Sequence, residues 1–256
     1  MITIKNTPNL TGVSISGDFN DLYNLVGAFH DIVIDEYSKK HHQFIDISTR
    51  ILGVCYDIRH ACQGDREVEL VDNHMNEDKM RWHSIIVPKN NVYYSCNCFY
   101  PEMFFVMLAL NELVELRNKD LTKAEYTYKR AMDKKVIWDE TIAIIRLFQA
   151  EFVKCVKSTF TDTTFVRWIN IMNGDYIGVE DIAVQYIDLL NFKYINMTRE
   201  KRLKKLYSIA RRIAEFRYDK DHIEIKKVVI KAAREHGCVQ GDIQLQGFDY
   251  PDDFEW

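Results

Sequence analysis

Residues 103 to 116 read Met103-Phe104-Phe105-Val106-Met107-Leu108-Ala109-Leu110-Asn111-Glu112-Leu113-Val114-Glu115-Leu116. A helix built from this run is apolar nearly all round, so it must be enclosed by other elements rather than laid on a surface. The fold therefore needs a central helix with partners on every side. Pro101 suits its first turn, where a backbone N–H has no helical partner to lose. The apolar run is far shorter than the ~18 residues of a membrane span, so its burial is expected in protein and not in lipid.

Downstream of this segment everything patterns as helix. Only 10 Gly and 4 Pro occur in 256 residues, which disfavours a loop-rich all-β fold. Thr122 to Glu125 reads as a capping box opening a long helix to about Lys157. Further helices are expected over 161–173, 179–194, 198–218 and 219–236, the last closed by Gly237.

Upstream the pattern is mixed. Ile2-Thr3-Ile4 and Val13-Ser14-Ile15-Ser16 alternate around turn residues 6–12, as in a β-hairpin. Asp18 reads as the N-cap of a helix with Phe19, Leu22, Leu25, Val26, Phe29, Ile32 and Val33 on one face. A second helix places Phe44, Ile47, Ile51, Val54, Cys55, Ile58 and Cys62 at the same spacing. Residues 67–71 alternate as a strand. Runs 82–87 and 92–99, joined by Pro88-Lys89-Asn90-Asn91, read as a hairpin with Ile85 opposite Tyr94 and His83 opposite Cys96. The fold class is α+β: a small N-terminal antiparallel sheet with two helices over 1–100, then a helical array over 101–256. The central helix is expected to join both parts in one continuous core.

The chain is 47% hydrophobic and 28% charged, as a folded protein should be. Its opening residues lack the apolar run of a signal peptide, so a cytoplasmic location without membrane contact is expected. The 6 Cys are then read as thiols. Charge is unevenly spread. Residues 193–236 hold 14 Lys and Arg against 6 Asp and Glu, while residues 237–256 hold no base and five acids. The tail also carries Phe248, Tyr250, Phe254 and Trp256 and is expected to dock, on its own chain or on a protein partner, through Tyr250, Phe254 or Trp256.

Chemistry concentrates in residues 52–66, which hold two Cys, two Asp, two Arg and a His. On a helix Asp57 and His60 are three apart, close enough for a general base, with Arg59 or Arg66 to hold an anion. The competing account is a solvated, ion-paired helix end. His83, Cys96 and Cys98 share a face in the expected hairpin and form a runner-up metal site, but no Cys-x-x-Cys pair supports one. Gly-rich phosphate loops are absent, and no cofactor is expected. Arg199, Arg202, Lys205 and Arg212 lie on one basic helix and are candidates for anion or nucleic-acid binding. The alternative is a solvated helix face neutralised within the chain.

The opening Ile2-Thr3-Ile4-Lys5-Asn6-Thr7-Pro8-Asn9-Leu10-Thr11-Gly12-Val13, with the 52–66 block and Val92-Tyr93-Tyr94-Ser95, resembles an uncharacterised bacterial protein family of about this length. The resemblance implies a bacterial cytoplasmic origin and carries no activity or site residues. Three functions are therefore expected in order. The first is an interaction or regulatory protein without catalysis. The second is an enzyme on a phosphorylated or nucleic-acid substrate centred on 52–66, and the third is nucleic-acid binding through 199–217.

Overall fold

The computed structural model describes residues 1–174, 177–248, 250, 251 and 254–256. The first hairpin forms as its alternation predicts. β1 (Thr3–Asn6) pairs antiparallel with β2 (Gly12–Gly17), from Thr3 opposite Ser16 to Asn6 opposite Val13. Gly12 is required by close approach: a Cβ there would lie 1.9 Å from the Cys98 carbonyl oxygen of the neighbouring strand. Asp18 caps α1 (Phe19–Ile32) in a reciprocal box with Asp21. The face carrying Leu22, Leu25, Phe29 and Ile32 is buried, whereas Phe19 is exposed. α2 (Ile45–Cys62) buries Ile47, Ile51, Val54, Cys55, Ile58 and Cys62, as their spacing requires. It ends before Gly64, whose φ of +85° suits glycine alone.

The second hairpin differs from its sequence expectation. β3 (Glu67–Asp72) is followed by a short helix, α3 (Glu77–His83), and then by β4 (Asn90–Phe99). β4 pairs with β3, not with residues 82–87: Val68 lies opposite Tyr94 and Leu70 opposite Val92. Its other edge pairs with β2, where Ile15 faces Cys96. The sheet order is β1-β2-β4-β3. Local capping explains the difference. Asn76 accepts from Lys79 N–H at 2.9 Å, and Glu77 and Asp78 occupy the first turn, so 77–83 closes as helix. His83 ends exposed on α3, and the expected grouping of His83 with Cys96 and Cys98 is not assembled.

α4 (Tyr100–Leu121) is the central helix, with Pro101 in its first turn and Phe104, Leu108 and Leu110 buried. The long helix expected over 122–157 is broken instead. Thr122 donates to Asp133 at 2.8 Å rather than boxing with Glu125. Three segments follow: α5 (Thr127–Ala131), α6 (Lys134–Ile137) capped by Asp133, and α7 (Glu140–Thr159) capped by Asp139. Each aspartate offers its carboxylate to an orphan N–H, which interrupts the helix more cheaply than the helical period continues it. α8 (Asp162–Met172), α9 (Gln185–Ile195), α10 (Arg199–Ala214) and α11 (Lys220–His236) complete the array. α9 starts later than expected because 179–181 forms a 3-10 turn. Gly237 ends α11 with φ +65°.

Sheet and helices contribute to one buried apolar cluster that runs from Ile15 and Phe29 through Phe104 and Phe152 to Leu206 and Val229. Tyr194 of α9 donates to the Leu10 carbonyl at 2.9 Å, and Tyr100 donates to Asn6, so both tie the hairpin to the helices. Phe99, at the end of β4, stacks on Trp256 and packs against the tilted rings of Tyr250 and Phe254 of the C-terminal segment. Those three aromatics anchor it. Sequence places the tail's acids near the basic helices; the Glu255 carboxylate instead accepts from Asn9, and Asp249, Asp252 and Asp253 lie outside the described residues. Among the described residues no helix is long and apolar enough to cross a membrane.

Candidate binding pocket

A cavity of about 590 Å³ opens where the sheet meets the helices. α2 supplies one wall with Arg50, Gly53, Val54 and Asp57, which share a helix face at spacings of three and four. Ser95 to Phe99 of β4 form the floor. Arg66 and Glu67 stand where β3 begins. Glu102 projects from the first turn of α4, and Asp188 and Asn191 come from adjacent turns of α9. Tyr250 and Trp256 of the tail close the last side.

Arg50 organises the inner end. It donates to Glu102 through Nε (2.8 Å) and Nη2 (2.5 Å), to Asp188 through Nη2 (2.8 Å) and to the Val184 carbonyl through Nη1 (2.8 Å). Burial alone would disfavour its charge, but the carboxylates of Glu102 and Asp188 more than reverse that, so the guanidinium stays charged. Asn191 donates to Glu102 at 2.9 Å, and its own Oδ1 is buried with no hydrogen-bond partner among the described residues. At the outer end Arg66 donates to Asp57 at 2.9 Å.

Both guanidiniums are therefore engaged. Among the described residues, four carboxylates against two guanidiniums leave the lining with two excess negative charges. Glu67 pairs with no cation among the described residues, and Asp188 is 39% exposed with one oxygen committed to Arg50. The Cys98 thiol is held well above the ordinary thiol range by its hydrogen bond with Cys96 and by burial, which keeps it protonated and weakly nucleophilic. Burial likewise pushes the Tyr250 phenol up.

Asp57 and Arg66 of the 52–66 block line this pocket. His60 and Arg59 do not. His60 meets Asp65 at 3.0 Å and packs on the Tyr56 ring, while Arg59 lies over the same ring. An Asp57–His60 base is thus not brought together. Arg50, Glu102, Asp188 and Asn191 were not singled out from the sequence; Tyr250 and Trp256 were, as docking anchors of the tail rather than as pocket residues. The nearest signals were a charged residue beside an apolar helix stripe, Arg50, and an acid opening an otherwise apolar helix, Glu102.

The basic helix commits its arginines within the chain, while Lys201, Lys204 and Lys205 stay exposed. Arg202 is buried and donates to the carbonyls of Asn9 and Ile195 and to the Thr11 hydroxyl. Arg212 is clamped by Asp219 at 2.7 Å and Asp221 at 2.5 Å. Arg199 donates to the Pro8 carbonyl, and Lys205 stays exposed. Three of the four candidate nucleic-acid contacts are therefore engaged within the chain, Arg202 and Arg212 most fully.

Fold and pocket together define an α+β protein with an acidic, partly aromatic cavity at the junction of sheet and helices. Over residues 2–256 the chain matches the family described as Domain of unknown function (DUF6904), and it belongs to that family. No curated protein and no solved structure matches it.

Proposed function

We propose that this is a cytoplasmic bacterial interaction protein without catalysis, and that its pocket receives a cationic group of a partner. The observation that carries this is the lining itself: both arginines are neutralised in place, Glu67 and Asp188 retain free carboxylate oxygens, and Tyr250 and Trp256 line the same cavity. Acids attract a cation, and the faces of Tyr250 and Trp256 add cation–π attraction of about 0.5–2 kcal/mol. A phosphorylated substrate would need an uncommitted guanidinium, so the alternative of an enzyme centred on residues 52–66 has less support. Nucleic-acid binding through α10 is weakened in the same way by the commitments of Arg202 and Arg212. The six unpaired thiols suit a reducing compartment.

Calorimetric titration with arginine ethyl ester and tetramethylammonium, against inorganic phosphate and a mononucleotide, tests this. The cations should bind, and rising salt should weaken them. Asp188→Asn or Glu67→Gln should cost about threefold to tenfold in affinity. Binding of phosphate or nucleotide in place of the cations would sink the proposal.

A further inference from the structure

The floor of the pocket is an open length of sheet edge. β3 begins at Glu67, opposite Ser95, so its pairing stops there, whereas β4 runs on to Phe99. Two hydrogen bonds just beyond the ladders show which way the β4 backbone groups point. Tyr100 N–H donates to Thr11 O at 3.3 Å, in register with the β2 ladder, and Asn73 N–H donates to Lys89 O at 3.0 Å, in register with the β3 ladder. In an antiparallel sheet the N–H and C=O of one residue address the same neighbour, and successive residues alternate sides. Even-numbered residues of β4 therefore address β2, and odd-numbered ones address β3. Ser95 meets Glu67. Asn97 and Phe99 address the lane that β3 has vacated, and both line the cavity. At ~3.4 Å per residue, the open edge over 96–99 is ~13 Å long, enough for about four residues of an added strand.

Gly53 points the same way. It lies on α2 across the cavity from this edge, inside a helix, where glycine costs about 1 kcal/mol relative to alanine. A Cβ at Gly53 would meet nothing within 4 Å among the described residues. Packing within the chain does not call for a glycine here, and the clearance it leaves belongs to the pocket.

We infer that the partner is an extended polypeptide segment that adds to β4 in the lane of β3, by β-augmentation, and sets a lysine or arginine in the acidic, aromatic-lined cavity. Main-chain pairing with Asn97 and Phe99 holds the segment, and the excess negative charge of the lining selects its basic residue. The inference rests on the cationic pocket proposed above and names the kind of molecule that fills it.

The test pans a displayed library of random seven-residue peptides against the full chain, then measures a selected peptide by calorimetry with each backbone amide N-methylated in turn. Lysine or arginine should be enriched at one position. N-methylation should cost tenfold or more at alternate positions and little between them, because every second amide faces β4. Gly53→Leu should abolish binding with an unchanged unfolding midpoint, and the smaller Gly53→Ala should weaken it. Equal tolerance of N-methylation at all positions, or selection without a basic residue, would overturn strand addition even if arginine ethyl ester still binds. Failure of arginine ethyl ester as well would strike the cationic pocket itself.

Discussion

Arg50 of α2 and Glu102 of α4 are joined by two parallel hydrogen bonds, Nε to Oε1 and Nη2 to Oε2, with both side chains less than 15% exposed. The pair couples the helix that covers the sheet to the central helix, and Asp188 and Asn191 tie α9 to the same point. One charge cluster thus positions three helices around the pocket.

Removing either partner should have unequal effects. Arg50→Ala leaves the buried Glu102 carboxylate with only Asn191, and should cost about 3–5 kcal/mol, the usual penalty for stranding a buried charge. Glu102→Ala leaves Arg50 with Asp188 and the Val184 carbonyl, so its loss should be smaller, about 1–3 kcal/mol. Urea unfolding of the two variants measures the order. A larger loss for Glu102→Ala would show that Asp188 does not support Arg50.

His222 makes stability depend on pH. Its ring is buried and its Nε2 accepts from Ala183 N–H at 3.1 Å. Burial, with Lys226 adding and Asp219 and Asp181 opposing, lowers its pKa from 6.5 to about 4. The unfolded chain therefore takes up this proton near pH 6.5 and the folded protein only near pH 4. The contribution is full above pH 6.5 and is lost as pH falls towards 4, by up to about 3 kcal/mol. His222→Gln keeps an acceptor and should flatten the stability profile between pH 4 and 6.5. An unchanged slope would assign that dependence to other groups.

Leu108 on α4 is 3% exposed. Leu108→Ala should cost about 2–5 kcal/mol by chemical denaturation. A loss below about 0.5 kcal/mol, typical of a surface position, would contradict the central placement of this helix.

The thiols should separate by reactivity. Burial pushes Cys55 up to about 11, and Cys62 is raised for the same reason. Cys238 is only half-buried. A thiol reagent applied to the native protein, read by mass spectrometry of peptides, should label Cys238 first and Cys55 and Cys62 slowly. Fast labelling of Cys55 would mean that α2 turns its other face inward.

Local physics made much of the fold legible in the chain itself. The apolar run over 103–116 required an enclosed helix, Asp18 and Gly237 marked helix ends, and the 3.6-residue period of α2 identified its buried face. These depend on neighbours within a turn or two. The partner of β4 does not. Residues 82–87 and 67–72 both offer alternating apolar side chains, and capping by Asn76 made helix of residues just ahead of the first candidate strand, so β3 paired instead. The breaks at Asp133 and Asp139 arose similarly, where a side-chain acceptor outcompeted continuation of a helical period. The pocket lay furthest from sequence reach. Asp57 and Arg66 stood out locally. Arg50, Glu102, Asp188, Asn191 and Trp256 meet only because the helices pack around a shared core, and no spacing along the chain encodes the proximity of residues 50, 102, 188 and 256. Sequence determined which segments are helix and which faces are apolar. Tertiary packing decided which charges would meet, because an ion pair between distant residues forms only after the surfaces carrying it have been brought together.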